Sequence, residues 1–406
     1  MPQSKTVAVI GAGPAGLMAA ERIAAAGHAV TVFDAMPSPA RKFLMAGRGG
    51  LNLTHSDPLE AFLGAYRPQA PTLLDAVRAF PPKALVAWCE ALGQPTFVGS
   101  SGRVFPKAMK ASPLLRAWLA RLGAAGVALA VRHRWVGFAE GGALRFDTPD
   151  GVREVTADAT VLALGGASWP RLGSDGAWPA LLPGVRVNPF APANMGLGIA
   201  WSDVLRDRHA GTPLKRVAAR FGARTLKGEA MLTRDGLEGG VVYQLAADIR
   251  EALAAGPQTL LLDLRPDLTQ GEVNRRMGDR PRAESLATQL RKALALPPVS
   301  VALLQEALHG AAAGTPPAGL VKALPLRVES VQGLARAISS AGGIAWDAVD
   351  AHAMLRAHPG VFVAGEMLDW EAPTGGWLLQ ACFATGTLAA EGVCARLRSS
   401  IDARTA

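Results

Sequence analysis

Three sets of residues have types and spacings that could hold or transform a ligand. The first is Gly11-Ala12-Gly13-Pro14-Ala15-Gly16, a GxGxxG turn answered eighteen residues after Gly16 by Asp34. Bare glycine backbone leaves N–H groups uncovered and tolerates positive φ, so such a turn can approach an anion closely. The second is AGRGGLNLTHS, residues 46–56, where Gly47, Arg48, Gly49 and Gly50 run into Asn52, Thr54 and His55. So much bare backbone beside so many hydrogen-bonding groups again points to a polar or anionic partner, with Arg41, Lys42 or Arg48 supplying positive charge. The third is a carboxy-terminal group, Gly365, Glu366, Asp369, Gly375, Gly376, Trp377 and Leu378, placed between an apolar segment and a long apolar run.

The elements that must position these residues can be read locally. Residues 5–10 (KTVAVI) have the pattern of a buried parallel strand, and LMAAERIAAAG after the glycines has that of a helix. Residues 28–33 form a second strand ending at Asp34. Strand, glycine turn, helix, strand and terminal acid together describe a dinucleotide-binding βαβ unit. In that unit Gly11 makes the turn, Gly13 lets backbone approach a pyrophosphate, Gly16 packs helix on strand, and Asp34 takes ribose hydroxyls.

Between FAD and NAD, the rest of the chain favours FAD. DATVLALGG, residues 158–166, is an apolar strand ending in Gly165-Gly166, a place where backbone can approach a cofactor. GVFVAGEMLD, residues 360–369, is another such strand, and Gly375-Gly376-Trp377-Leu378 opens a long helical pattern. A helix start made of glycines offers N–H donors and a positive dipole end, suited to negative charge on a reduced flavin. A plain NAD dehydrogenase needs no such return. No second GxGxxG follows a strand, so NAD(P)H is expected only as a transient co-substrate.

GAGPAG, the 46–55 segment, GRVFP at 102–106, ALGG at 163–166 and AGEMLDWEAPTGGWLLQACFATG at 364–386 resemble the BaiN/YhiN-type bacterial flavoproteins, often labelled NAD(FAD)-utilising dehydrogenases or aminoacetone oxidase-like proteins. The resemblance implies an α/β fold: a Rossmann-like FAD domain of the glutathione-reductase type, with β-barrel and helical domains inserted before the final strand. Placed on this chain, it gives an FAD domain over 1–190 and 345–406, a barrel over 191–268 and 313–344, and a helical domain over 269–312. It also implies reduction of an activated carbon–carbon double bond, in a small molecule with a conjugated carbonyl or, for some relatives, in a uracil ring of ribosomal RNA. Where the family usually has Arg-Cys before the asparagine, this chain has Gly50-Leu51, so a mechanism using that cysteine does not carry over. Gly49, Gly50, Asn52 and Thr54 are then expected around the FAD pyrophosphate and flavin edge, and Glu366 and Asp369 near the ribityl chain. Trp370 and Trp377 could wall the ring system or simply pack.

Such a reduction needs hydride from flavin N5, a donor for the enolate oxygen and a proton for the α-carbon. His55 could be that acid or merely cap its turn. Arg103 and Lys107 could bind a substrate anion or enolate, or pair with surface carboxylates. A flavin with a structural or sensory role is a further alternative.

Composition bounds these readings. At 406 residues the chain can hold two or three cores, since single cores seldom exceed about 250–300 residues. Cys89, Cys382 and Cys394 form no CxxC pair and the seven histidines show no metal spacing, so no metal site is expected and the cysteines read as buried apolar side chains. No signal-peptide pattern and no apolar run approaching ~20 residues is evident, which predicts a cytoplasmic protein without a membrane partner. The net charge of +9 is concentrated. Residues 91–139 carry seven basic residues and no Asp or Glu, and 204–228 carry seven against Asp207 alone. These stretches could face RNA phosphates or be solvated helix faces.

Overall fold

The computed structural model describes residues 4–278, 284–310 and 313–405. The chain divides into two compact units, 1–191 with 339–406, and 192–338.

The first unit is built on a five-stranded parallel sheet. Thr6–Ile10 lies at its centre, flanked by Ala29–Asp34 and Ala159–Leu162, with Ala128–Val131 and Val361–Val363 at the edges. Val7, Val9 and Ile10 are buried, as expected of a central strand covered on both faces. The helix Pro14–Ala25 follows the glycine turn, with proline at its first position, where the missing N–H costs nothing. The long helix Trp377–Thr405 packs along it. Close packing there depends on Gly386, where a Cβ would lie 2.3 Å from the Ala15 carbonyl oxygen.

That long helix corrects one sequence expectation. Its stretch Trp377–Ser399 is long and apolar enough to cross a membrane by length and composition, although 67% of its most apolar window is buried inside the structure. It is the core helix of this unit, so its apolar surface is already matched by protein.

Residues 58–125 form the expected helices, Leu59–Leu63, Pro71–Ala79, Pro82–Ala91 and Ala111–Ala124. Between them the GRVFP motif forms a hairpin, Thr96–Val98 with Arg103–Pro106, to which Thr54–His55 adds antiparallel. A second antiparallel sheet, Arg134–Phe138, Leu144–Thr148 and Gly151–Val155, is not marked by any of the sequence patterns.

The second unit is an antiparallel seven-stranded sheet with helices around one core. The segment 324–331 pairs at one end with Gln258–Asp263 and at the other with Leu197–Gly198, so the sheet curls back on itself in a barrel-like way. The helices Gln270–Gly278, Leu286–Leu294 and Pro298–His309 do not form a separate domain. Val273, Leu290 and Leu303 share the core occupied by Leu260, Leu262 and Leu326 of the sheet. The boundary also shifts: Ser339–Ile344, read as part of the insertion, pairs with Val187–Ala193 and belongs largely with the first unit.

Candidate functional site

The glycine turn at 11–16 combines two packed positions with one open one. A Cβ at Gly11, where φ is +105°, would lie 2.2 Å from the Ala163 carbonyl oxygen, and one at Gly16 would lie 2.0 Å from the Gly11 oxygen. Nothing lies within 4 Å of a Cβ at Gly13. Gly13 is also the N-cap residue, and no side chain caps the helix, which leaves first-turn N–H groups of Ala15 and Gly16 to an external acceptor. Asp34 closes the turn, accepting the N–H of Ala12 and of Met36, each at 2.8 Å. Burial pushes its carboxyl above the usual range, opposed by those two N–H bonds and by the charge of Arg41.

The 46–56 segment repeats this division. A Cβ at Gly47 would meet Ala111 at 2.6 Å and one at Gly50 would meet Met109 Cε at 2.7 Å, whereas Gly49 faces open space. Leu51 and Leu53, on either side of Asn52, are fully buried and anchor the segment in the core, a role the glycine-rich reading did not assign. Asn52 is held between them with its Oδ1 buried and without a hydrogen-bond partner among the described residues. Arg48 is exposed. Lys42 is already committed, donating to Glu366 Oε2 at 2.8 Å and to Ser168 Oγ at 3.0 Å.

The carboxy-terminal group meets the glycine-rich segment directly. A Cβ at Gly376 would lie 2.4 Å from Thr54 backbone, and Trp377 stacks on His55 with centroids 4.7 Å apart and on Phe62 at 5.1 Å. Leu378 is half-buried and packs against the same core. The Trp377 indole donates to the Phe62 carbonyl, and Trp370 donates to the Gly365 carbonyl. Asp369 accepts from Asn188 at 2.7 Å. The 163–166 segment is fixed by its carbonyls: Gly165 accepts from the Trp178 indole and Gly166 from Ser174, while Ser340 accepts the N–H of Ala167.

His55 is buried with both ring nitrogens engaged: Nε2 lies 2.9 Å from the Ser101 carbonyl and Nδ1 accepts the Asp57 N–H at 3.3 Å. The Asp57 carboxylate also lies 3.2 Å from Nδ1, so both ring nitrogens are occupied and the ring serves its turn and supports Trp377. Arg103 stands opposite His55 in the strand pairing. Among the described residues no carboxylate lies within ion-pair distance of Arg103 or of the exposed Lys107. Cys382, beside Gly365, is held well above the usual thiol range by burial and by Glu366; Cys89 is pushed up to about 12, chiefly by burial. All three cysteines are buried and free.

Sequence reading missed Gln380, Ser168, Ser174, Asn188 and Ser340, which carry the hydrogen bonds holding these segments together. Gln380 alone left a local trace, as the one amide in the apolar run LLQACF. A cleft of about 560 Å³ lined by Lys5, Asp158, Asp350, His352 and Arg396 lies at the N-terminal ends of the parallel strands and contains none of the candidate residues. Ligands of open α/β sheets bind at the opposite, carboxyl ends, where the 11–16 turn follows Thr6–Ile10.

The family model described as HI0933-like protein Rossmann domain matches residues 5–392. The chain belongs to this family. Within the HI0933-like family setting, it is 27% identical over 416 residues to the 3-dehydro-bile acid delta(4,6)-reductase of Clostridium scindens, covering 96% of this chain and 99% of that one. Its fold is similar to that of 3-ketosteroid delta1-dehydrogenase from Sterolibacterium denitrificans, solved with 1,4-androstadiene-3,17-dione, at a TM-score of 0.53 and 13% identity over 97% of this chain and all of that one. It is also similar to 3-ketosteroid-delta4-(5alpha)-dehydrogenase from Rhodococcus jostii, solved with 4-androstene-3,17-dione, at a TM-score of 0.50 and 14% identity over 97% and 99% of the two chains. The protein is therefore a flavoprotein oxidoreductase with a Rossmann-type FAD domain. The site agrees with that cofactor: two open glycines, an uncapped helix start, the Asp34 carboxylate and the orphaned Asn52 oxygen are donors, acceptors and space that a dinucleotide would use.

The basic stretches give RNA no added support. They fall in different units, and Arg121 pairs with Glu21, Arg134 with Asp175, Arg206 with Asp203 and Arg224 with Asp248.

Proposed function

We propose that this flavoprotein reduces an activated carbon–carbon double bond in a small, largely apolar molecule bearing a conjugated carbonyl. The observation that carries this reading is the near full-length relationship to a bile acid delta(4,6)-reductase. Bound FAD supplies the hydride-transfer chemistry. The protein's residues bind and orient it: the helix start at Gly13–Gly16 takes the pyrophosphate, Asp34 the adenosine ribose, and Gly49, Asn52 and the Gly375-Gly376 turn the flavin end.

Arg103 is assigned to the substrate oxygen. A guanidinium without a carboxylate partner can stabilise charge developing on a carbonyl as its conjugated double bond accepts hydride. Lys107 adds positive potential from the surface. His55 is assigned a positioning role, because both of its nitrogens are engaged. NAD(P)H is the proposed reductant, docking transiently.

The test is anaerobic. Holoenzyme is photoreduced, then mixed with steroid 4-en-3-ones and simple cyclic enones while flavin absorbance is followed. Reoxidation with one saturated ketone formed per flavin is expected. Rapid reoxidation by oxygen with none by any enone would show an oxidase instead.

A further inference from the structure

The two glycine-rich regions assigned to the flavin end, residues 49–55 and 375–378, are far apart in sequence and meet through the His55–Trp377 stack and the close approach of Gly376 to Thr54, neither of which is a directional side-chain hydrogen bond. One side chain outside both regions supplies such a bond. Gln380 is fully buried in the first turns of the helix Trp377–Thr405. Its Oε1 accepts from Thr54 Oγ1 at 2.8 Å, and its Nε2 donates to the Phe80 carbonyl at 2.6 Å, at the end of the helix Pro71–Ala79. Its own backbone N–H donates to the Gly376 carbonyl at 3.0 Å. The same turn is braced by Tyr66, whose hydroxyl donates to the Trp377 carbonyl at 2.9 Å.

These contacts leave little freedom. The amide is planar, so one orientation must satisfy an acceptor and a donor at once, and the reverse orientation would set Oε1 against the Phe80 carbonyl. Gly376 already touches Thr54 backbone, so a slip of the helix start would move the bare backbone facing the proposed cofactor. A buried amide left without its partners does not recover the hydration it gave up on folding, which favours this register over alternatives that break either bond.

We propose that Gln380 is a positioning residue that locks the Thr54 strand and the Gly375-Gly376 helix start into the register required for binding the flavin end of FAD. This rests on the proposed placement of FAD at these residues.

Gln380→Glu tests it with little change of shape. As a neutral acid the new side chain can accept from Thr54 and donate to Phe80, reproducing both bonds. As a carboxylate it sets negative charge against a carbonyl. Full burial disfavours the charged form and pushes such a carboxyl above the usual carboxylate range, so the variant is compared from mildly acidic to mildly alkaline pH. Gln380→Leu, which removes both bonds at any pH, is the control. The dissociation constant for FAD, the visible flavin spectrum and the thermal midpoint of apoprotein are measured for full-length protein across that pH range.

Gln380→Glu is expected to bind FAD at least tenfold more weakly than wild type at high pH and to recover toward wild type as pH falls. Gln380→Leu should be weakened throughout, with an altered flavin spectrum in whatever fraction binds. Wild-type affinity and spectrum in both variants would overturn the proposal. So would a loss of affinity unchanged by pH in Gln380→Glu, or one accounted for by unfolding of the apoprotein. Retention of no FAD by wild type would instead overturn the cofactor placement, and this inference with it.

Discussion

The turns at 11–16 and 47–50 solve one problem with different materials. Each spends two glycines on packing and leaves one, Gly13 or Gly49, facing open space. In the first, the packed glycines touch rigid main chain: the carbonyls of Ala163 and Gly11. In the second, Gly50 touches the flexible end of Met109, and Gly47 touches the start of the helix Ala111–Ala124. The contrast teaches that glycine count does not identify ligand contacts. The open glycines are the positions the proposed cofactor placement uses, and the packed ones make the fold that presents them.

Substitutions separate these roles. The largest effect is expected at Gly16→Ala, because no side-chain motion can relieve a 2.0 Å approach to a carbonyl: about 3 kcal/mol of apoprotein stability, read by denaturant unfolding. A near-neutral result would break the comparison at its firmest point. Gly50→Ala should cost less, about 1–2 kcal/mol from left-handed strain at φ +110°. Adding Met109→Ala should relieve the clash but not that strain, so only part of the loss returns.

Gly13→Ala and Gly49→Ala should leave apoprotein stability within about 0.5 kcal/mol of wild type. Each should weaken FAD binding by about tenfold, some 1.4 kcal/mol, in a fluorescence titration. Equal losses of stability and affinity at these sites would merge the two classes.

The smallest effect serves as a control remote from both turns. Asp158 accepts the N–H and hydroxyl of Thr6, which with Lys5 hold its carboxyl below the usual value of 3.8. A depressed carboxyl stabilises the fold above 3.8 and loses that contribution as pH falls through the depressed value. Asp158→Asn should therefore lower stability at neutral pH by under about 1 kcal/mol for so exposed a group, seen as a small drop in thermal midpoint, and the gap to wild type should close in acid. FAD affinity should not change.

Legibility in the sequence followed distance along the chain. The βαβ unit was readable because strand, turn, helix and Asp34 lie within thirty residues and each has its own periodicity or glycine signal. Ala159–Leu162 and Val361–Val363 were readable as apolar runs closed by glycine. Lys42 was readable as a cation but not in its role, since Glu366 is 324 positions away. The helices of residues 270–309 were readable as helices, but not as part of the sheet's core, because amphipathic periodicity marks an inward face without saying what it meets.

The sequence by itself determined the dinucleotide turn, the order of the elements around it and the identity of the family, all of which are written in local patterns. Only tertiary structure decided which glycines are open, that both His55 nitrogens are engaged, and that Gln380 joins Thr54 to Phe80. The physical reason is that a hydrogen bond or a Cβ clash is fixed at the scale of a few ångströms, and residues hundreds of positions apart come to that distance only once the core has packed.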